Sequence, residues 1–227
     1  MKAGRTKALA LGALGAALLP GAAWAGYAAL QWLRYPPGPC LPREETPLAP
    51  FLPEPEVEGR VAVWIAAPPT AVMAVLRSLE LQKLPAIRAL FALRARLMGG
   101  GTARRPAGEG PFVVRMQQLG WRLLSEDPER YVVFGTVTES WKADVAFRPL
   151  APAGFVAFAE PGYVKIAWTF RAEPSGAGTR CIAETRVVAT SEDARRRFRR
   201  YWAVFSPGML LVRLFALRAI KRAAERR

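Results

Sequence analysis

The groups this chain offers for chemistry are carboxylates, guanidiniums and phenols, because it contains no histidine. A Ser-His-Asp triad, a histidine general base and every histidine-containing metal site are thereby excluded. Two cysteines, Cys40 and Cys181, are too few and too far apart for a zinc cluster, although the two could pair in an oxidising compartment. The charged candidates inside or beside strand-like stretches are Arg115, Glu160, Lys165, Glu184 and Arg186. Strand alternation places Glu184 and Arg186 on one face with Ile182 and Val188. On a solvated face such charges are ordinary surface. On a concave face they would be buried, would need partners, and would be ligand anchors. Acid–base work by Glu160 or Glu184, helped by Tyr163 or an arginine, would require a strongly shifted pKa.

Aromatic residues are the second candidate set. Trp121, Phe134, Trp141, Tyr163 and Trp168 fall in the strand-rich middle, and Phe198, Trp202 and Phe205 fall near the C-terminus. Each is explained by core packing alone. Together they are also the lining of a pocket for an apolar or ring-containing ligand. No cofactor is expected.

The elements that must position these residues follow from periodicity. RVAVWIAAPP (60–69) reads as a strand that its prolines end. Helices follow over 70–80 and 84–98, the second opened by Pro85 and stopped by three glycines. Strand candidates come next at 112–124, 131–138, 141–148, 154–160, 163–171 and 179–189, separated by turn signals and without intervening helices, which argues for an antiparallel meander. The last element is a long helix with the apolar stripe Phe198, Tyr201, Trp202, Phe205, Met209, Val212, Ala216, Ile220. Thr190 and Asp193 suit a capping box, and Pro207-Gly208 should kink or split the helix. The fold class is α+β, an antiparallel sheet of about seven strands wrapped around the C-terminal helix with a cavity between them.

The amino terminus is a separate unit. Lys2, Arg5 and Lys7 precede an uncharged run of 26 residues, Ala8 to Leu33, where a membrane span needs about 20. Basic residues before the run and glutamates after it favour a single-pass anchor with the amino terminus inside and the domain outside the cytoplasm. The alternative is a signal peptide cleaved after Ala23-Trp24-Ala25, giving a secreted protein. Residues 34–59 form a linker, with eight prolines between Pro36 and Pro55. The globular domain is expected over 60–227.

The net charge of +15 is uneven: 81–108 carry six basic and no acidic residues, 192–227 carry eleven against three, and 109–191 are neutral. The excess is either a solvated helix face or an attraction to an anionic membrane surface or headgroup. Nucleic acid is not expected as a partner of an exported or membrane-held chain.

The element order, with ETRV (184–187), the arginine-rich turn into Phe198-x-x-Tyr201-Trp202, Pro207-Gly208 and LRAIKRAAE (217–225), resembles the START-like superfamily, also called SRPBCC or Bet v 1-like, and within it a bacterial subfamily of unassigned function. The resemblance covers 60–227. It implies a helix-grip fold whose members bind lipids, sterols, polyketides or aromatic molecules, some being cyclases or hydrolases. It carries no catalytic motif onto this chain. The leading expectation is a membrane-tethered carrier of a hydrophobic or lipid-like small molecule, with Trp121, Phe134, Trp141, Tyr163, Trp168, Glu184, Arg186, Phe198, Trp202 and Phe205 as ligand-binding candidates. The alternatives are a cyclase- or hydrolase-type enzyme in the same cavity and an interaction domain whose cavity has collapsed.

Overall fold

The computed structural model describes residues 21–30, 33, 46–80, 84–100 and 112–226. Strand β1 (Val57–Ile65) leads into helices α1 (Pro69–Ser78) and α2 (Pro85–Leu97), each begun by a proline whose fixed φ suits a first helical turn. Then come α3 (Phe112–Gln118), β2 (Arg122–Asp127), β3 (Tyr131–Thr138), the two-residue β4 (Phe147–Arg148), α4 (Pro152–Ala157), β5 (Val164–Ser175), β6 (Gly178–Ala189) and α5 (Glu192–Ala224). The sheet has six strands in the order β1-β6-β5-β3-β2, with β4 on β3, and every pairing is antiparallel. A long C-terminal helix packs across β1, β6 and β5. This is the α+β arrangement expected of a helix-grip fold.

Two expected strands are corrected. The stretch 112–124 is helix α3 followed by β2, and 154–160 is replaced by helix α4. Of 141–148, only Phe147 and Arg148 pair with β3. The short run FVVRMQQ satisfies both periods; it settles as a helix because Phe112, Arg115 and Met116, at helical spacing, are the positions that bury. Helix α4 likewise starts at Pro152 and drives Phe155, fully buried, onto the sheet. Gly120, at φ +91°, turns the chain from α3 into β2, and a Cβ there would come within 2.5 Å of the Phe147 Cβ.

The long helix starts one residue away from the expected cap. Ser191 is the N-cap, its hydroxyl accepting from the Ala194 N–H at 3.3 Å. Thr190 instead bonds both backbone groups of Tyr163. Pro207 lies inside α5 without splitting it.

Alternation along the strands makes two faces, and both are covered. The inner face presents Phe134, Trp168, Phe170, Cys181 and Ala183 to Met73 and Leu76 of α1, Phe112 of α3, and Leu217 and Ile220 of α5. The outer face presents Val133, Val137 and Ala167 to Phe155 of α4 and to Leu48 and Leu52. Those two leucines belong to the second half of the proline-rich segment, 0% and 2% exposed respectively. A turn at 46–52 is closed by Leu52 N–H donating to the Leu48 carbonyl. Glu56, also buried, accepts from the Ala189 N–H and from Arg195, tying this arm to β6 and α5. The folded unit therefore extends upstream of residue 60. The first half of the proline-rich segment, Cys40 and residues 1–20 lie outside the described residues.

Cys181 is a free thiol on the inner face, 2% exposed, and burial pushes its pKa up to about 12. An alkylating reagent at mildly alkaline pH is expected to leave it unmodified in the folded protein and to react at once in denaturant. Rapid labelling under native conditions, followed by mass spectrometry, would contradict that burial.

Candidate functional site

The candidate site residues separate into three groups. Trp121, Phe134 and Trp168 form an aromatic core with Phe112 and Phe170. Phe134 stacks on Trp168 at 4.8 Å, and Phe112 meets both edge-on at 5.9 and 6.3 Å. Trp121 and Phe170 close round the same indole at 5.8 and 5.6 Å. The ligand cavity expected between sheet and C-terminal helix is corrected: these rings fill that space and line neither the cleft beside Trp141 nor the small hollow at Trp24.

Tyr163, Glu184 and Arg186 belong to the outer face. Tyr163 packs edge-on against Phe158 at 5.6 Å, with Arg148 above its ring. Glu184 and Arg186 are buried, 1% and 0% exposed, beneath the 46–56 arm. Arg186 Nε donates to Glu184 Oε1 at 3.1 Å and Nη1 donates to the Leu52 carbonyl, while Thr46 donates to the same Oε1. Arg171 lies 4.0 Å from the other carboxylate oxygen. The charges do require partners, as alternation implied, but the arm supplies them. They fasten a strap to the sheet and do not face the long helix.

Glu160 is an exposed partner of Arg148 at 2.9 Å, holding that guanidinium's pKa above its usual value. Lys165 donates to the Val156 carbonyl at 2.7 Å on the outer face, and burial lowers its pKa. Arg115 is buried and donates to the Leu79 carbonyl. The carboxylates considered for acid–base work, Glu160 and Glu184, are therefore engaged away from the inner face.

Trp141, Phe198, Trp202 and Phe205 are brought together. Phe198 and Trp202, one turn apart on α5, stack at 5.7 Å over Val164 and Val187, with Trp141 against the same cluster. Beside this cluster opens a cleft of about 320 Å³, lined by Met98, Trp141, Arg197, Arg200, Tyr201 and Phe205. Helix α5 supplies four of these six at i, i+3, i+4 and i+8, which puts them on one face. Arg94 of α2, which does not itself line the cleft, ties α2 to one of the lining side chains and to the neighbouring turn: its Nε donates to the Tyr201 hydroxyl at 3.1 Å and its Nη2 to the Ser140 and Lys142 carbonyls at 3.0 Å. Its guanidinium also stands 5.6 Å from the Tyr201 ring centre.

The chemistry of the cleft is amphipathic. Met98, Trp141, Tyr201 and Phe205 offer apolar and ring surfaces. Arg197, held by Asp193 at 2.8 Å, and the exposed Arg200 place positive charge at its edge. The Trp141 Nε1–H is buried and meets no acceptor among the described residues. No carboxylate is among the lining residues. Sequence reasoning named Trp141 and Phe205 but missed Met98, Arg94, Arg197, Arg200 and Tyr201. The i, i+3, i+4 spacing of Arg197, Arg200 and Tyr201 was a signal for the α5 side, whereas nothing local pointed to Arg94 or Met98.

No family model matches the sequence, and no curated protein does. Similar solved structures include Ara h 8.0201, with 9% identity, 75% of this chain and 99% of that one covered, and a TM-score of 0.29. TTHA0849 from Thermus thermophilus is similar at 12% identity, 74% and 97% coverage, and TM-score 0.28. The Zhui aromatase/cyclase from Streptomyces sp. R1128 is similar at 17% identity, 75% and 94% coverage, and TM-score 0.27. At such TM-scores these likenesses decide neither ligand nor activity, which must be argued from the cleft itself.

Proposed function

We propose that this chain is a membrane-tethered carrier of the START-like type that holds a hydrophobic or lipid-like small molecule in the cleft beside Trp141, without transforming it. The observation that carries the reading is the cleft: about 320 Å³, aromatic and apolar in its lining, with two arginines on one side. That volume lies at the lower end of small-molecule sites, and the cleft is open to solvent along one side, so a ligand would be held against the helix with its other side exposed. The ligand's apolar body would lie on Trp141, Tyr201 and Phe205, and an anionic or strongly polar end would reach Arg197 and Arg200. In this reading the 8–33 run anchors the chain with its amino terminus inside and the domain outside the cytoplasm, and cleavage of that run would release a secreted form.

The test uses anilinonaphthalene sulfonate, whose rings and sulfonate reproduce the two halves of such a ligand, titrated against the full chain. Saturable binding is expected. Trp141→Ala and the pair Arg197→Ala, Arg200→Ala should each weaken it about tenfold, the loss associated with one charge-assisted hydrogen bond or one buried ring contact. The urea midpoint of the arginine pair variant should stay within experimental error of wild type, while that of Trp141→Ala should fall because the ring also packs against Phe198 and Trp202. Binding that none of these substitutions affects would overturn the assignment of the cleft. Native mass spectrometry of protein purified without detergent should also show a co-purifying apolar ligand.

A further inference from the structure

The helical layer of the protein leaves an apolar face open. Leu93 and Leu97, one turn apart on α2, are 47% and 63% exposed, and Val204 of α5 is 47% exposed. Over an 18-residue stretch α5 is apolar enough to cross a membrane, yet only 39% of that stretch is buried. The rest of that stretch is open to solvent or to a further partner.

Part of this face is already occupied by the chain's own helical segment 21–30. The Trp24 Nε1–H donates to the Val204 carbonyl at 2.9 Å. Val204 lies in the turn before Pro207, where a proline loosens the carbonyl ladder. Gly208 admits the indole: a Cβ there would come within 3.3 Å of Trp24 Cη2. A shallow hollow brings Trp24, Leu93, Leu97, Phe205, Gly208 and Val212 together, so the segment, α2 and α5 share one surface. Leu30 and Leu33 beyond it are exposed as well.

Charge on this layer is predominantly positive. Helix α2 carries Arg88, Arg94 and Arg96 and no acidic residue; α5 has its acids only in the first turn, while Arg197, Arg200, Arg218 and Arg222 are exposed along its length. Exposed leucines and valine among exposed arginines are the composition of helices that lie in a bilayer interface. Segment 21–30 belongs to the uncharged 8–33 run. A run anchored in the bilayer holds the residues that touch its outer end, Val204 and Gly208, close to the membrane surface.

We infer that the outer face of α2 and α5, carrying Leu93, Leu97 and Val204, docks flat on an anionic bilayer with helix 21–30 seated against it. The inference rests on the tethered reading above and deepens it by naming the face that meets the lipid. The cleft shares Tyr201 and Phe205 with this layer, so a docked protein holds its ligand site beside the headgroups, where a lipid-like molecule can pass without crossing water.

The experiment uses the full chain with Cys40→Ser, since buried Cys181 does not react. A polarity-sensitive label is placed at Leu97→Cys, at Val204→Cys, or at Glu129→Cys in the exposed β2–β3 turn. The protein is reconstituted into vesicles of phosphatidylcholine, with or without phosphatidylglycerol, and with bromine-bearing acyl chains as quencher. Labels at 97 and 204 should be blue-shifted and quenched, more so with phosphatidylglycerol at low salt, while the label at 129 stays in water. Labels at 97 and 204 as solvated as that at 129 would overturn the proposal. Labels that are shielded but unquenched, with disulfide cross-links between copies of the unlabelled Leu97→Cys protein under an oxidant, would overturn it in favour of a homodimer. Anilinonaphthalene sulfonate binding is read on the same samples: its persistence beside solvated labels removes the membrane face alone, and its absence beside quenched labels removes the carrier reading alone.

Discussion

Glu184→Ala is expected to lower the unfolding free energy by about 3–5 kcal/mol, because it leaves the buried Arg186 Nε–H and the Thr46 hydroxyl without their acceptor and opens a cavity under the arm. Arg186 is 0% exposed, and its other named partner is the neutral Leu52 carbonyl. Urea denaturation followed by tryptophan fluorescence measures the change; a shift under about 1 kcal/mol would mean that the arm lifts and rehydrates Arg186. The intact pair is not thereby a source of net stability. Burial, the largest influence on Glu184, and the nearby Glu58 raise its carboxyl above the usual range despite Arg186, Thr46 and Arg171. Replacing both partners, Glu184→Met with Arg186→Met, should therefore leave stability unchanged or raise it by roughly 1–4 kcal/mol.

The same shift fixes a pH dependence. A folded-state pKa above the unfolded value means that the folded protein holds the proton more tightly. The contribution of Glu184 is then fully present below the unfolded value and is lost as pH rises through the folded one. Wild type should accordingly lose stability relative to Glu184→Gln as pH rises through that value. A difference between the two that is flat with pH would contradict the raised carboxyl.

Leu48→Ala combined with Leu52→Ala should be the second large effect. Both side chains are buried on the outer face against Val133, Val137 and Phe155, and a buried Leu→Ala costs about 2–5 kcal/mol. The two share neighbours, so the double substitution should fall short of the sum. The arm's release would also expose the Glu184–Arg186 pair, which ties this result to the first. Thermal melts of the single and double variants measure it. A double variant as stable as wild type would show that residues 46–56 are a spacer lying on the sheet and not part of the fold.

Both predictions concern the part of the molecule that the sequence describes least well. Eight prolines in twenty residues exclude a helix or central strand, and an extended arm is what such a stretch forms. Whether an arm lies in solvent or on a sheet is decided by distant residues, here Val133 and Val137 of β3 and Phe155 of α4, so no local pattern can report it. The same limit explains α3 and α4. FVVRMQQ and PAGFVA are too short for their periodicity to discriminate, and the neighbours that receive Phe112 and Phe155 make the choice.

The long strands and helices were legible. Strand β3 coincides with its expected limits, and β1, β5, β6, α1, α2 and α5 differ from theirs by a few residues at most, because each is long enough for one period to dominate. The pairing of β5 with β6 follows from a short connection and alternating faces. For the site, the C-terminal aromatic stripe was legible as one face of one helix, and that face does carry Tyr201 and Phe205 into the cleft.

On its own, then, the order of residues determined which chemistries are absent, where the long elements run, and that the last helix carries an apolar, ring-rich stripe and an excess of basic residues. The tertiary structure alone decided which of two possible faces each ring and charge occupies. It set Trp121, Phe134 and Trp168 to packing, Glu184 and Arg186 to fastening a strap, and Trp141 with Phe205 to a cleft. The reason is physical: alternation states that two residues share a face, but which element covers that face depends on contacts between segments more than a hundred residues apart, such as Thr46 with Glu184 and Arg94 with Tyr201.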